Sequence, residues 1–161
     1  MSTPFIRCAD AAVDRAVLQT NVAKVAGGLD QLGIGAGDRA ALLLKNSIEF
    51  IETSTALGKL GAFSVPLNWH FTGAEIDGLL EDCTPKAIFV HEELRDRIPL
   101  PWLDRSRVII VGETQASCEY SDWRDQCPVY GGPDRPAPGS MVYTSGTTGR
   151  PKGVKRSPPT P

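Results

Sequence analysis

A chain of 161 residues with 41% hydrophobic and 22% charged residues has a globular composition, which excludes disordered, fibrous and membrane-spanning classes. By the prior of roughly 100 to 200 residues per domain it fits one domain, large enough to bury about two thirds of its unfolded surface. A net charge of -2 gives no basic footprint, so no nucleic-acid partner is expected. The residues after Met1 mix charged with small side chains, and the longest apolar run is Ala40 to Leu44. Neither a signal peptide nor a transmembrane segment is expected, and the expected compartment is cytoplasmic.

Leu18, Val22, Val25, Leu29 and Leu32 recur at spacings of four and three and form one stripe of an amphipathic helix between Asp10 and Leu32. The Gly-rich stretch that follows fails the G-x-G-x-x-G pattern because Asp38 stands where the third glycine belongs. Gly33, Gly35 and Gly37 therefore read as a turn. Arg39 to Leu44 is a nearly continuous apolar run, the pattern of a strand covered on both faces. Asn46 or Ser47 can cap a helix from about Ile48 to Leu60, with Ile51, Thr55 and Leu60 among polar neighbours and Gly61 at its end.

A strand from Phe63 to Leu67 follows. Trp69, His70 and Phe71 read as a helix lead-in that packs aromatic rings on the core. Thr72 and Glu75 have the spacing of a capping box, which predicts a helix through Ile76, Leu79 and Leu80 that Pro85 closes. Ala87 to Val90 and Val108 to Val111 are two further aliphatic strands, separated by the charged stretch EELRDR. Alternation of strand and helix predicts an α/β layer structure with a parallel sheet and right-handed crossovers. Gly112 to Gly139 reads as a long connection in which Trp123 anchors a short turn or helix. Cys8, Cys83, Cys118 and Cys127 lack C-x-x-C spacing and read as reduced structural thiols.

Met141 to Ser145 reads as a strand that runs directly into Gly146-Thr147-Thr148-Gly149-Arg150-Pro151-Lys152-Gly153. Open α/β sheets bind ligands beyond strand ends. The residue types suit a polyphosphate. Glycines let backbone N–H groups approach, the hydroxyls of Thr144, Ser145, Thr147 and Thr148 donate hydrogen bonds, and Lys152 supplies positive charge. The loop is not a Walker A loop, because Pro151 and Gly153 occupy the positions of its second glycine and its hydroxyl residue. Nor is Ser145 a G-x-S-x-G nucleophile, since Tyr143 and Thr147 flank it where glycines are needed. The alternative for Lys152 is a solvated surface lysine.

Tyr143 to Val154, Y-T-S-G-T-T-G-R-P-K-G-V, resembles the phosphate-loop signature of the adenylate-forming superfamily, whose members activate a carboxylate by transferring AMP to it. The segments GIGAGDRAALLLKNSIEF and LGKLGAFSVPLNWHFT look like the lead-in of bacterial acyl-CoA synthetases, so the resemblance covers nearly the whole chain and is of the fatty-acid-CoA ligase type. It implies that residues 1–161 are a partial amino-terminal AMP-binding domain, a truncated parallel-sheet layer structure that ends just after the phosphate loop. Thr144, Ser145, Gly146, Thr147, Thr148, Gly149, Lys152 and Gly153 would then hold the phosphates of ATP, and Thr144 would also hold Mg²⁺. Coenzyme A would take the acyl group in a second half-reaction.

Superfamily members are several times longer. Their adenine-binding segment, metal-binding glutamate, ribose-binding aspartate and carboxy-terminal lysine lie downstream of this loop. The resemblance therefore implies an acid-CoA ligase fragment that has no catalytic residue of its own and is inactive alone. A strand left without neighbours would expose an unpaired edge. The expected partners are a nucleotide and a carboxylic acid, and the oligomeric state is open. Two alternatives are a fragment of another adenylating enzyme, such as a peptide-synthetase adenylation domain, and a non-catalytic nucleotide-binding module.

Overall fold

The computed structural model describes residues 5–8, 11–112, 120–144 and 152–155. Its centre is a parallel sheet of β3 (Arg39–Leu43), β4 (Phe63–Pro66), β5 (Ala87–His91) and β6 (Arg107–Val111), in the order β4-β3-β5-β6. Ala41 lies opposite Val65 on one side and Ile88 on the other, and Phe89 lies opposite Ile109. β3, β5 and β6 bury apolar residues on both faces because helices cover both, whereas β4 has the buried Ser64 on one of its faces.

The two-residue period of the strands divides the core in two. Ala40, Leu42, Ala87, Phe89 and Ile109 pack with Val22, Val25, Leu29, Ala56 and Leu57 from α1 (Arg15–Gln31) and α2 (Ile48–Lys59). Ala41, Leu43, Ile88, Val90 and Ile110 face the opposite way, onto Ile76, Leu79 and Leu80 of α3 (Gly73–Cys83) and Trp102 of α4 (Leu100–Arg105). Alternate residues along one strand thus belong to different layers.

The capping signals act as the sequence indicates. Asp14 accepts a hydrogen bond from the Val17 N–H at 2.9 Å, and Ser47 accepts one from Phe50. The capping box of α3 is complete: Thr72 accepts from the Glu75 N–H, and Glu75 accepts from the Thr72 N–H at 2.8 Å. Gly33 and Gly37 sit at φ 70° and 84°, left-handed values that suit glycine in the turn before β3. The Asp38 carboxylate closes that turn by accepting from the Gly35 N–H at 2.9 Å and from Lys86 Nζ at 2.8 Å.

Some elements depart from expectation. Residues ahead of α1 form a small antiparallel hairpin of β1 (Ile6–Cys8) and β2 (Ala11–Val13), so the helix starts at Arg15 and not near Asp10. In α2, Thr55 is exposed, and the buried face carries Glu52, Thr53, Ala56 and Leu57. Trp69 and His70 do not pack on the core. Both are exposed, with ring centroids 3.6 Å apart, and only Phe71 joins the α3 layer. EELRDR forms a 3₁₀ turn, Glu92–Arg97, and α4 follows it.

The long connection contains α5 (Tyr120–Gln126), whose Trp123 packs on the α1 layer as expected. Cys8 and Cys83 are free thiols, burial pushes Cys83 up to about 12, Cys127 Sγ donates to the Trp123 carbonyl at 3.0 Å, and Cys118 lies outside the described residues. Among the described residues no helix is long and apolar enough to cross a membrane.

Candidate functional site

The proposed loop hangs from a hairpin. β7 (Met141–Thr144) pairs antiparallel with β8 (Lys152–Lys155), Thr144 opposite Lys152 and Tyr143 opposite Gly153. The sequence places Lys152 and Gly153 in the glycine-rich loop, whereas in the structure they are strand residues. The pairing has a local cause. Gly153 has no side chain at the position paired with Tyr143, and the β-branched residue types Val142 and Val154 occupy paired register positions. Thr144 and Lys152 are therefore brought together at the mouth of the loop. Ser145, Gly146, Thr147, Thr148 and Gly149 lie outside the described residues.

The hairpin attaches beside β4, at the side of that strand away from β3. Ser140, just ahead of β7, makes a parallel bridge to Ser64, and their hydroxyls are 3.1 Å apart. The chain entering β7 thus runs parallel to β4 at that bridge, while β7 itself is antiparallel to β8, and residues 145–151 join the two hairpin strands.

Met141 and Tyr143 lie on the same side of β7 by strand alternation, and both pack with the α3 layer. The Tyr143 hydroxyl donates to Oδ2 of Asp82, on the last turn of α3, at 2.5 Å. Burial first, and then this hydrogen bond to a carboxylate, hold the phenol protonated by raising its pKa well above the ordinary value. Arg39 lies nearby and donates from Nη1 to the Cys83 carbonyl at 3.3 Å. Sequence reasoning gives Tyr143 no role, and it has no signal for Asp82 because the two residues are 61 positions apart.

A second polar group stands at the carboxyl ends of β3 and β5. His91 Nδ1 accepts the backbone N–H of Lys45 at 2.9 Å, so the neutral ring carries its proton on Nε2. Burial lowers the His91 pKa below its ordinary value. Glu49 and Glu93 oppose that shift, and Lys45 adds to it. Lys45 Nζ pairs with Glu93 at 2.7 Å and lies 5.1 Å from the centre of the Trp69 ring. Among the described residues no group of three His, Cys, Asp or Glu side chains is placed to hold a metal ion.

Residues 7–158 match the AMP-binding enzyme family. The chain is 31% identical over 155 residues to fatty acid–[acyl-carrier-protein] ligase ScoC of Streptomyces coeruleorubidus, covering 95% of this chain and 30% of that protein. Its fold superposes on the anthranilate CoA ligase AuaEII, solved in complex with anthranoyl-AMP, with a TM-score of 0.86 at 24% identity, over 97% of this chain and 32% of that one. ATP-bound MatB from Rhodopseudomonas palustris gives a TM-score of 0.77 at 28% identity, over 93% of this chain and 30% of that one. The chain thus spans about a third or less of the length of each. The α/β fold with its parallel sheet is that of the amino-terminal domain of adenylate-forming enzymes, and the chain belongs to the AMP-binding enzyme family.

Proposed function

We propose that this chain is the phosphate-loop portion of an ATP-dependent acid-CoA ligase acting in the cytoplasm, and that residues 1–161 form part of its amino-terminal AMP-binding domain. The observation that carries this reading is the pairing of Thr144 with Lys152, which closes a loop of hydroxyl residues and glycines at its base in a chain of the AMP-binding family. The likeness to ATP-bound MatB supports ATP as the nucleotide.

In this reading the backbone N–H groups of Gly146 and Gly149, the hydroxyls of Thr144, Ser145, Thr147 and Thr148, and the Lys152 ammonium surround the β- and γ-phosphates, with Gly153 leaving room beside them. A carboxylate oxygen attacks the α-phosphorus, the bond from that phosphorus to the pyrophosphate oxygen breaks, and pyrophosphate leaves with its charge stabilised by donors already in place. The thiol of coenzyme A then attacks the acyl carbon, AMP departs, and the thiol proton is released. Mg²⁺ takes oxygen ligands, so the Thr144 hydroxyl suits it, and when bound it neutralises phosphate charge. No residue from 1 to 161 is assigned to the acyl-transfer chemistry.

The test is hydroxamate formation from ATP, Mg²⁺ and a panel of fatty and aromatic acids, run on this chain beside the same chain continued through its reading frame. Product from the continued chain alone fits the proposal. Product from the 161-residue chain would show that the chemistry needs nothing more, and product from neither would contradict the ligase reading.

A further inference from the structure

Residues 145–151 join β7 to β8. β7 is attached at its foot, where the Ser140 hydroxyl meets Ser64, and again next to the loop, where Tyr143 reaches Asp82. Tyr143 immediately precedes Thr144, so this second attachment is one residue from the loop mouth.

The anchor on the other side is rigid. α3 is fixed by its capping box and by four buried residues, Ile76, Leu79, Leu80 and Cys83. Its outer carboxylates are engaged as well: Asp77 accepts from Trp102 Nε1 at 2.9 Å, and Glu81 pairs with Arg105. Asp82 is exposed on this helix, so its carboxylate is not needed to hold α3 to the sheet.

From this geometry we propose that Tyr143 and Asp82 form a positioning pair that ties the phosphate loop to α3 and sets the loop's affinity for a triphosphate. The inference rests on the phosphate-loop reading above. Neither residue touches the phosphates. Tyr143 acts by fixing the direction in which β7 delivers Thr144 and the residues after it, and Asp82 acts by holding Tyr143. Small displacements of a binding loop cost affinity steeply because each donor is aimed at one oxygen.

The experiment is calorimetric titration of the 161-residue chain with inorganic tripolyphosphate, with amide hydrogen exchange at Val142 and Val154 followed in parallel. Tyr143→Phe keeps the ring and removes the donor, Asp82→Ala removes the acceptor, and Asp82→Asn keeps an oxygen acceptor at the same reach. Tyr143→Phe and Asp82→Ala are each expected to weaken tripolyphosphate binding by about fivefold to tenfold, the scale for a residue acting through another. Both should speed exchange in the hairpin at an unchanged melting temperature.

Asp82→Asn should retain most of the affinity, and the double variant Tyr143→Phe/Asp82→Ala should be no weaker than either single one. Wild-type affinity in Tyr143→Phe, or single losses that simply add in the double variant, would overturn the pairing. Faster exchange with unchanged affinity would reduce the pair to a structural contact and overturn its positioning role. A wild-type chain that binds no tripolyphosphate would instead overturn the phosphate-loop reading and the pair's role with it, a result distinguishable because it appears before any substitution is made.

Discussion

The carboxylate of Glu52, 1% exposed on α2, accepts a hydrogen bond from the Tyr120 hydroxyl of α5 at 2.9 Å. Asn21 of α1 donates to its other oxygen, Oε1, at 2.7 Å, and Arg124 pairs with Oε2, the oxygen that Tyr120 reaches, at 3.4 Å. One buried charge thereby joins three helices, and it clamps the long connection that leads to β7. Burial first, and then the Glu52 charge, raise the Tyr120 pKa well above its ordinary value and keep it a donor. Removing a partner leaves a buried charge or acceptor unsatisfied. Tyr120→Phe is expected to destabilise the chain by about 1–3 kcal/mol. Arg124→Met, which strips Glu52 of its cation, is expected to cost about 3–5 kcal/mol. Urea unfolding followed by circular dichroism measures both, and losses under about 0.5 kcal/mol would show that the network is not a clamp.

The same connection lies against bare backbone on α1. A Cβ added at Gly27 would stand 1.9 Å from the Pro128 carbonyl oxygen, and one at Gly28 would stand 2.4 Å from Cys127 Sγ. The Tyr130 N–H donates to the Ala23 carbonyl at 2.9 Å in the same contact. Gly27→Ala gains helix propensity but forces the 127–130 segment away, so a net loss of about 1–3 kcal/mol is expected. A stabilised Gly27→Ala chain in thermal unfolding would mean that this close approach does not exist.

Acid should destabilise the fold in two separate windows. The folded state holds the His91 pKa below its ordinary 6.5, chiefly by burial. As pH falls through 6.5 the unfolded chain takes up the proton first, so stability declines from there toward the folded value. Asp38 behaves as a carboxylate with a depressed pKa. Burial pushes it up, but the hydrogen bonds from Lys86 and the Gly35 N–H, with the charges of Lys86 and Arg39, bring it below its ordinary 3.8. Its contribution is complete above that value and is lost as pH falls through the folded value. His91→Asn, which keeps an acceptor for the Lys45 N–H, should flatten the stability profile between about pH 7 and pH 5. Asp38→Asn should flatten it only below about pH 4. An unchanged slope near neutrality in His91→Asn would contradict the first assignment.

The parallel sheet was legible because each strand is a short apolar run bounded by punctuation. Arg39–Leu43, Ala87–His91 and Arg107–Val111 fall where the aliphatic residues are, and the Thr72–Glu75 capping box begins α3. The buried face of α2 was not legible. Glu52 and Thr53 look like surface residues until Asn21, Tyr120 and Arg124, all distant in sequence, supply their partners. Nor could residue patterns tell that β7 turns back on β8, since Lys152 and Gly153 carry the composition of a loop. Their pairing with Thr144 and Tyr143 depends on register, which side-chain type alone does not set. The loop chemistry was legible through residue types and the signature they resemble, whereas its attachment through Asp82 had no local signal.

The role proposed for the loop closed by Thr144 and Lys152 is to hold a triphosphate. It is tested most directly by titrating the 161-residue chain with ATP and Mg²⁺ beside Lys152→Ala. Loss of a charge-assisted hydrogen bond of about 1.5–3 kcal/mol predicts affinity weaker by roughly 10- to 100-fold in the variant, with the melting temperature of the free chain unchanged. Equal affinity in the two chains, or no binding by the wild type at millimolar ATP, would rule out that role.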